Sequence, residues 1–320
     1  MSWLTLIKRA IPKPVKRFLR RFIKVKTTPN YFVQTVSPCL PESICIDVGA
    51  SYYPHVNWFV FLESAQTQWI AVEPNESNIG YIKSWAWASK VKAITTGLSR
   101  EGGKKTLYVT NVDSGSSLLE PVIQEAMKHR VKKAGQDYFY PVRAVEIDTI
   151  TLRDVIKAES PELPVFVKLD TQGTELSILQ GAHEEFLKNR IVGIEMESTL
   201  LARPFYQGSG KFWEACQYLE QMGLELLDIN PIRAPSEFGN KLSLGKCYLN
   251  ECDAVFALRR DVAKTLPVEY RGALFAFYLT NKLFEEALSL LEGDDEVQAY
   301  FASRQVDIAK LSKHILGLLA

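Results

Sequence analysis

No stretch of the 320-residue chain stays apolar over the roughly 18 residues that a bilayer crossing needs, so no membrane span is expected. The opening residues also lack the small-residue cleavage site of a secretory leader. Cysteine is scarce: Cys39, Cys45, Cys216, Cys247 and Cys252 are odd in number and scattered. That pattern suits a reducing cytoplasm better than a disulfide framework, and leads us to expect a soluble protein of that compartment. Cys247 and Cys252 have no His/Cys partner pair nearby, so no metal site is expected. Net charge is nearly absent as well, with 38 Lys and Arg against 37 Asp and Glu, or +1 overall. The balance is uneven, because residues 1–26 hold nine of the basic residues and no acid. The remainder keeps 29 basic and 37 acidic residues, a net charge of −8. So acidic a body is a poor partner for phosphate backbones, which argues against nucleic acid.

What is present is an ordinary globular composition, 47% hydrophobic and 23% charged. The length suits one large domain with appendages. Residues 1–41 form a basic segment in which Val15, Phe18, Leu19, Phe22 and Ile23 recur at helical spacing between lysines and arginines. Such a helix either packs on its own domain or lies against an anionic membrane surface. Residues 42–260 alternate between strand and helix patterns. Strands are expected at 43–49, 69–74, 91–96, 165–170, 191–197, 224–229 and 254–259, and helices near 55–66, 76–88, 174–188 and 210–222. This predicts an α/β fold: a Rossmann-like, doubly wound, mostly parallel seven-stranded sheet with helices on both faces. "KKTLYVTN" and "YPVRAVEID" read as extra strands around a helical insert near 119–134, which follows a flexible, lid-like "DSGSSLLEP". Residues 261–320 read as a helical tail, with Asn281 as a cap and Gly293 as a stop for one of its helices.

A pyrophosphate-binding glycine fingerprint is also missing. "CIDVGAS" ends a strand at Asp47 and turns at Gly49-Ala50, but Ser51 is followed by Tyr52, Tyr53 and Pro54 where further glycines would be needed. A phosphate-free ligand therefore fits better, with Asp47 able to accept from an ammonium group. In "AVEPNES", Glu73 precedes Pro74 at a strand end, 24 residues after Gly49. One carboxylate there can accept from both hydroxyls of a ribose.

The stretch "VFVKLDTQGTELSILQGA" places Lys168 and Asp170 on one face of a strand at its carboxyl end. Asp170 should then project over the same crevice as Asp47 and Glu73. Gly173 permits a tight turn, while Thr174 and Glu175 suit a helix N-terminus. Glu195 and Glu197 share a face of the next strand, where Glu197 is nearer the crevice and one of the two could pair with Lys168.

In this order the four blocks resemble the FkbM-type methyltransferases, a family of S-adenosylmethionine-dependent O-methyltransferases. "VKLDTQGTELSILQGA" follows the family's K-x-D-x-Q-G-x-E-x-x-x-L-x-G-A block, and "DVGAS", "VEPN", "GSSL", "IDTITLRDVI" and "IEME" match its other blocks over about 42–260. The family usually continues D-V-G-A-N and then x-G, so the loop after Ser51 departs from it. The resemblance implies S-adenosyl-L-methionine as cofactor. It places Asp47, Gly49 and Ala50 at the methionine end, with Ser51 alongside. Glu73 and Pro74 fall at the ribose, and Asp170 at the methyl-transfer site. That cofactor carries an ammonium, a sulfonium and a diol but no phosphate, in keeping with the residues. Asp170 or Glu197 could accept the proton of a substrate hydroxyl, and Lys168 could hold Asp170 ionised or stabilise an oxyanion. Tyr52, Tyr53, His55, Tyr206, Trp213 and Arg233 lie in stretches suited to a glycan, glycolipid or other small hydroxylated acceptor. Two other readings remain at this point: a catalytically weakened scaffold protein, and a nicotinamide-dependent dehydrogenase, which the missing fingerprint disfavours.

Overall fold

The computed structural model describes residues 29–51, 58–84, 88–123, 140–234 and 248–319. They fall into two compact units, one of residues 41–54 and 67–274, the other of residues 1–40, 55–66 and 275–320. The strands are β1 (Ser43–Val48), β2 (Thr67–Val72), β3 (Val91–Ile94), β4 (Gly97–Leu98) and β5 (Gly103–Thr110). They continue with β6 (Pro141–Ile150), β7 (Val165–Leu169), β8 (Ile191–Thr199), β9 (Leu224–Ala234) and β10 (Tyr248–Leu258). The α-helices begin with α1 (Pro29–Thr35), α2 (Phe59–Leu62), α3 (Glu76–Lys83), α4 (Leu152–Lys157), α5 (Glu175–Gln180) and α6 (His183–Leu187). Then come α7 (Phe212–Gln221), α8 (Arg260–Ala263), α9 (Val268–Thr280), α10 (Phe284–Glu292), α11 (Asp295–Ala302) and α12 (Ile308–Leu319).

The larger unit is built on a seven-stranded sheet in the order β3-β2-β1-β7-β8-β10-β9. Its members are the seven strands expected from the sequence. The pairs β3/β2, β2/β1, β1/β7 and β7/β8 are parallel, and β10 runs antiparallel to both β8 and β9. From β1 the chain steps outward to β2 and β3, then returns to lay β7 on the other side of β1. The winding direction therefore reverses between β1 and β7, where Rossmann-like sheets open a ligand crevice at their carboxyl ends. All six residues of β1 are buried, as expected for a central strand covered on both faces. α3 packs Ile79 and Ile82 with Ala50 and Ala71, and with the partly buried Val91 and Ala93. β4, β6 and β5 make a separate three-stranded sheet, so the two extra strands foreseen around the insert do pair with each other.

Several local expectations change. The stretch 174–188 is two helices, α5 and α6, because the chain turns at Gly181-Ala182. Helix 76–88 stops at Lys83, and a 3-10 turn covers Ala88–Lys90. Of the predicted insert, residues 119–122 are not helical, and Pro121 bridges to Tyr206 instead. The rest of that insert from 124, the basic helix within 1–26, and Tyr52–Asn57 lie outside the described residues.

The helical tail is present, with α8 and the first half of α9 in the larger unit and the residues from 275 on in the smaller. Trp58 is fully buried and meets Phe277 edge to face at 5.9 Å between centroids. Phe275 lies 5.3 Å from Phe301, and Tyr31 stacks on His314 at 3.9 Å. Gly293 ends α10 as expected, but Asn281 does not cap its start. The Asn281 amide instead donates to the Phe277 carbonyl and closes α9. Among the described residues no helix is long and apolar enough to cross a membrane.

Candidate active site

The carboxyl ends of β1, β2 and β7 frame an open cleft of about 720 Å³, the solvent at its mouth included. Its floor is made by the turn after β1. Gly49 has a φ of 75°, and its N–H donates to the Val72 carbonyl at 3.0 Å. A Cβ at this position would stand 2.1 Å from the Asp170 carbonyl oxygen, so the two strand ends meet only because residue 49 is glycine. Ser51, Glu73, Pro74, Asn75, Asp170 and Thr171 line its strand-end part, and Gly97, Leu107, Val109 and Ser116–Leu118 supply a further wall.

Glu73 is buried at the end of β2 and accepts the Asn75 N–H at 2.8 Å. Burial raises its pKa to about 7, against the opposing pull of the Asn75 and Asn78 hydrogen bonds. The Asp47 charge adds to the rise and Lys168 detracts from it.

Lys168 answers how charge enters the middle of this sheet. The register sets it opposite Asp47 on β1 and Glu195 on β8. Its ammonium lies 3.5 Å from Asp47 Oδ1 and 3.5 Å from Asp170 Oδ2, with the side chain 13% exposed. Burial pulls its pKa down, but Asp170, Asp47, Glu195 and Glu197 more than offset that, and the net shift is upward. Lys168 therefore stays protonated, and an unpaired carboxylate beneath the cleft is avoided. Of the residues expected at the methionine end, Gly49 and Ser51 reach the cleft. Asp47, 1% exposed, faces Lys168, while Ala50 is buried in the α3 contact.

The β7–α5 turn is organised by Glu175 and not, as expected, by a Thr174 cap. Thr174 makes no side-chain capping bond. Glu175 Oε1 accepts from the Thr171 N–H at 2.8 Å, and its two oxygens accept the Gly173 N–H at 3.1 and 3.0 Å. Burial raises the Glu175 pKa despite these bonds. Beside the turn is a smaller cavity lined by Gln172, Glu197, Ser198, Thr199, Tyr206 and Glu251 among others. Removal from water raises the Glu197 pKa well above the usual range, followed by the nearby Asp170, Glu251, Glu175 and Asp253 charges.

The structure thus brings Asp47, Lys168, Asp170 and Glu197 into one charged chain across three strands, with Glu73 across the cleft. Tyr206 lies at the smaller cavity, whereas Trp213 is exposed on α7 and lines neither space. His55, Tyr52 and Tyr53 lie outside the described residues. Gln172, Asn75, Leu107 and Val109 went unassigned in the sequence. Gln172 could have been found, since it sits between Asp170 and Gly173 in the most distinctive block. The wall from β5 could not, because nothing local says which side of a second sheet faces the first.

Solved structures similar to the chain include an FkbM methyltransferase from Methylobacillus flagellatus KT, at 14% identity and a TM-score of 0.37, covering 68% of this chain and 43% of that one. This chain thus spans less than half the length of that protein. Another is the magnesium protoporphyrin IX methyltransferase of Synechocystis PCC 6803 with bound SAM, at 8% identity and a TM-score of 0.34, covering 74% and 80%. A third is a precorrin-6y C5,15-methyltransferase from Geobacter metallireducens GS-15, at 13% identity and a TM-score of 0.31, covering 74% and 92%. No curated protein gives a match. The Methyltransferase FkbM domain matches residues 47–226, more than half of the 320 residues, and the chain belongs to that family.

Proposed function

We propose that this protein is an S-adenosylmethionine-dependent methyltransferase that acts on a hydroxyl of a glycan, glycolipid or other small acceptor. The observation that carries the reading is the cleft at the β1/β7 reversal. It has the buried Glu73 carboxylate on one side, Asp170 on the other and the Gly49 turn between them, in a sequence that lacks the glycine fingerprint of a pyrophosphate cradle. The donor set suits a cofactor with a ribose diol and positive charge. Glu73 would accept from the ribose hydroxyls, while the Gly49–Ser51 turn and Asp170 would hold the methionine end. Asp47, bonded to Lys168, would act through that lysine and not by direct contact. When bound, the cofactor supplies a methyl group on a sulfonium, which an acceptor oxygen displaces in line.

The chain's own residues would then do three things. Glu73 and the turn hold one reactant still, the wall from Leu107 to Leu118 keeps water out, and Asp170 or Glu197 takes the hydroxyl proton. Lys168, 3.5 Å from Asp170 Oδ2, would support the step by holding that side chain in place. Calorimetry with S-adenosylmethionine tests the reading: binding in the micromolar range is expected, and no heat at high micromolar concentration would sink it. The acidic body and the basic, amphipathic residues 1–26 support a second proposal, that the N-terminal segment rests on an anionic membrane surface.

A further inference from the structure

Gln172 holds an uncommon position in the β7–α5 turn. Its φ of 58° lies in the left-handed region, which side-chain-bearing residues seldom adopt. Its carboxamide is fully committed there. The Nε2 group donates to Asp170 Oδ1 at 3.0 Å and to Glu197 Oε1 at 2.9 Å. Rotating the amide would set Oε1 against two carboxylates and lose both bonds, so only one orientation is tenable. Oε1 then faces the Tyr206 hydroxyl at 3.3 Å. That hydroxyl has a single proton and gives it chiefly to the Gly115 carbonyl at 2.5 Å. The Gln172 backbone is tied as well, its carbonyl accepting from Ser117 Oγ at 2.9 Å.

The amide also stands between the two spaces of the site. Asp170 lines the larger cleft, and Glu197 lines the smaller cavity. The charged groups around them come from five elements: Asp47 from β1, Lys168 and Asp170 from β7 and its end, Glu175 from α5, Glu195 and Glu197 from β8, and Glu251 and Asp253 from β10. Two carboxylates this close would ordinarily turn apart. One NH₂ group that bonds both is a means of keeping them facing the same point.

We propose that Gln172 is a positioning residue that clamps Asp170 and Glu197 side by side, so that the two carboxylates take up the acceptor's proton as one unit. The proposal rests on the methyl-transfer reading. In that reaction the acceptor O–H bond breaks, its proton passes to a carboxylate oxygen of the pair, the new O–C bond forms and the C–S bond of the sulfonium breaks.

The test follows the side-chain carboxyl carbons of Asp170 and Glu197 by NMR through a pH titration, with assignments from Asp170→Asn and Glu197→Gln. Removing the shared donor in Gln172→Met should raise at least one of the two pKa values by about one unit, because the N–H bonds favour the ionised forms. Unchanged titrations of both carboxyls would overturn the clamp. If Gln172→Met fails to fold, as judged by its melting transition, the wild-type protein still decides. The two Nε2 protons of Gln172 should shift with pH through the same transitions as both carboxyls, and flat amide signals would discard the idea. Calorimetry with S-adenosylmethionine on the same sample keeps the two readings apart. A clamp that titrates as expected in a chain that binds no cofactor would remove the methyltransferase reading alone.

Discussion

Glu73 should govern how cofactor binding depends on pH. Its folded pKa of about 7 is raised chiefly by burial, so below pH 7 the carboxyl is largely protonated, and in the proposed role it must ionise to accept from both ribose hydroxyls. Affinity for S-adenosylmethionine is therefore expected to rise with pH through 7 and to level off above it. Isothermal titrations at several pH values should show this rise in the wild type and a weaker, flatter profile in Glu73→Gln. Gly49 offers a second residue-scale check. Gly49→Ala places a methyl group against the Asp170 carbonyl at a φ of 75°. Denaturant unfolding should report a loss of about 3 kcal/mol, with strain and overpacking both contributing. Cofactor affinity should fall with it, because that turn is also the floor of the cleft.

At the scale of elements, the site depends on strand ends held by contacts remote from it. The turn from α6 into β8 buries an ion pair, Arg190 Nη1 to Glu185 Oε2 at 3.2 Å. Arg190 also donates to the Ser160 carbonyl at 2.6 Å in the segment before β7. One arginine thus fixes the start of both strands that end at Asp170 and Glu197. Replacing Glu185 by Leu leaves Arg190 buried without its carboxylate, and chemical denaturation should show a loss of about 3–5 kcal/mol. α4 carries a reciprocal cap, in which Thr151 Oγ1 accepts the Asp154 N–H and Asp154 Oδ2 accepts the Thr151 N–H, both at 3.0 Å. Thr151→Ala is expected to cost about 1 kcal/mol in the same measurement. The cap was legible in the sequence as Thr151 followed by Asp154 at capping spacing. The break between α5 and α6 was not, because Gly181 and Ala182 both tolerate a helix and the turn is set by packing. Gly181 has no room for a Cβ, which would meet the Arg100 carbonyl at 2.7 Å.

For the whole molecule, the charge division along the chain has a measurable consequence. Residues 1–26 concentrate nine basic residues while the remainder is acidic, so the full chain should sediment with anionic vesicles at low salt. A variant lacking residues 1–26 should stay in the supernatant and still bind S-adenosylmethionine. Equal sedimentation of both proteins would discard the membrane proposal.

By itself the sequence determined the layer architecture and which charged residues stand at the strand ends. Apolar runs such as Ser43–Val48 and Val165–Leu169 read as covered strands, and the missing glycine fingerprint disfavoured a pyrophosphate cradle before any fold was known. Lys168, Asp170, Glu73 and Glu197 stood out because charge at the end of a buried strand is costly without a purpose. Tertiary structure alone decided how those charges divide. Pairing of β1 with β7 gave Asp47 to Lys168, and pairing of β7 with β8 brought Glu197 within reach of Gln172. Strand register is fixed by packing between segments separated in sequence, 121 positions from Asp47 to Lys168 and 25 from Gln172 to Glu197, so no local pattern around Asp47 or Gln172 could reveal either partner.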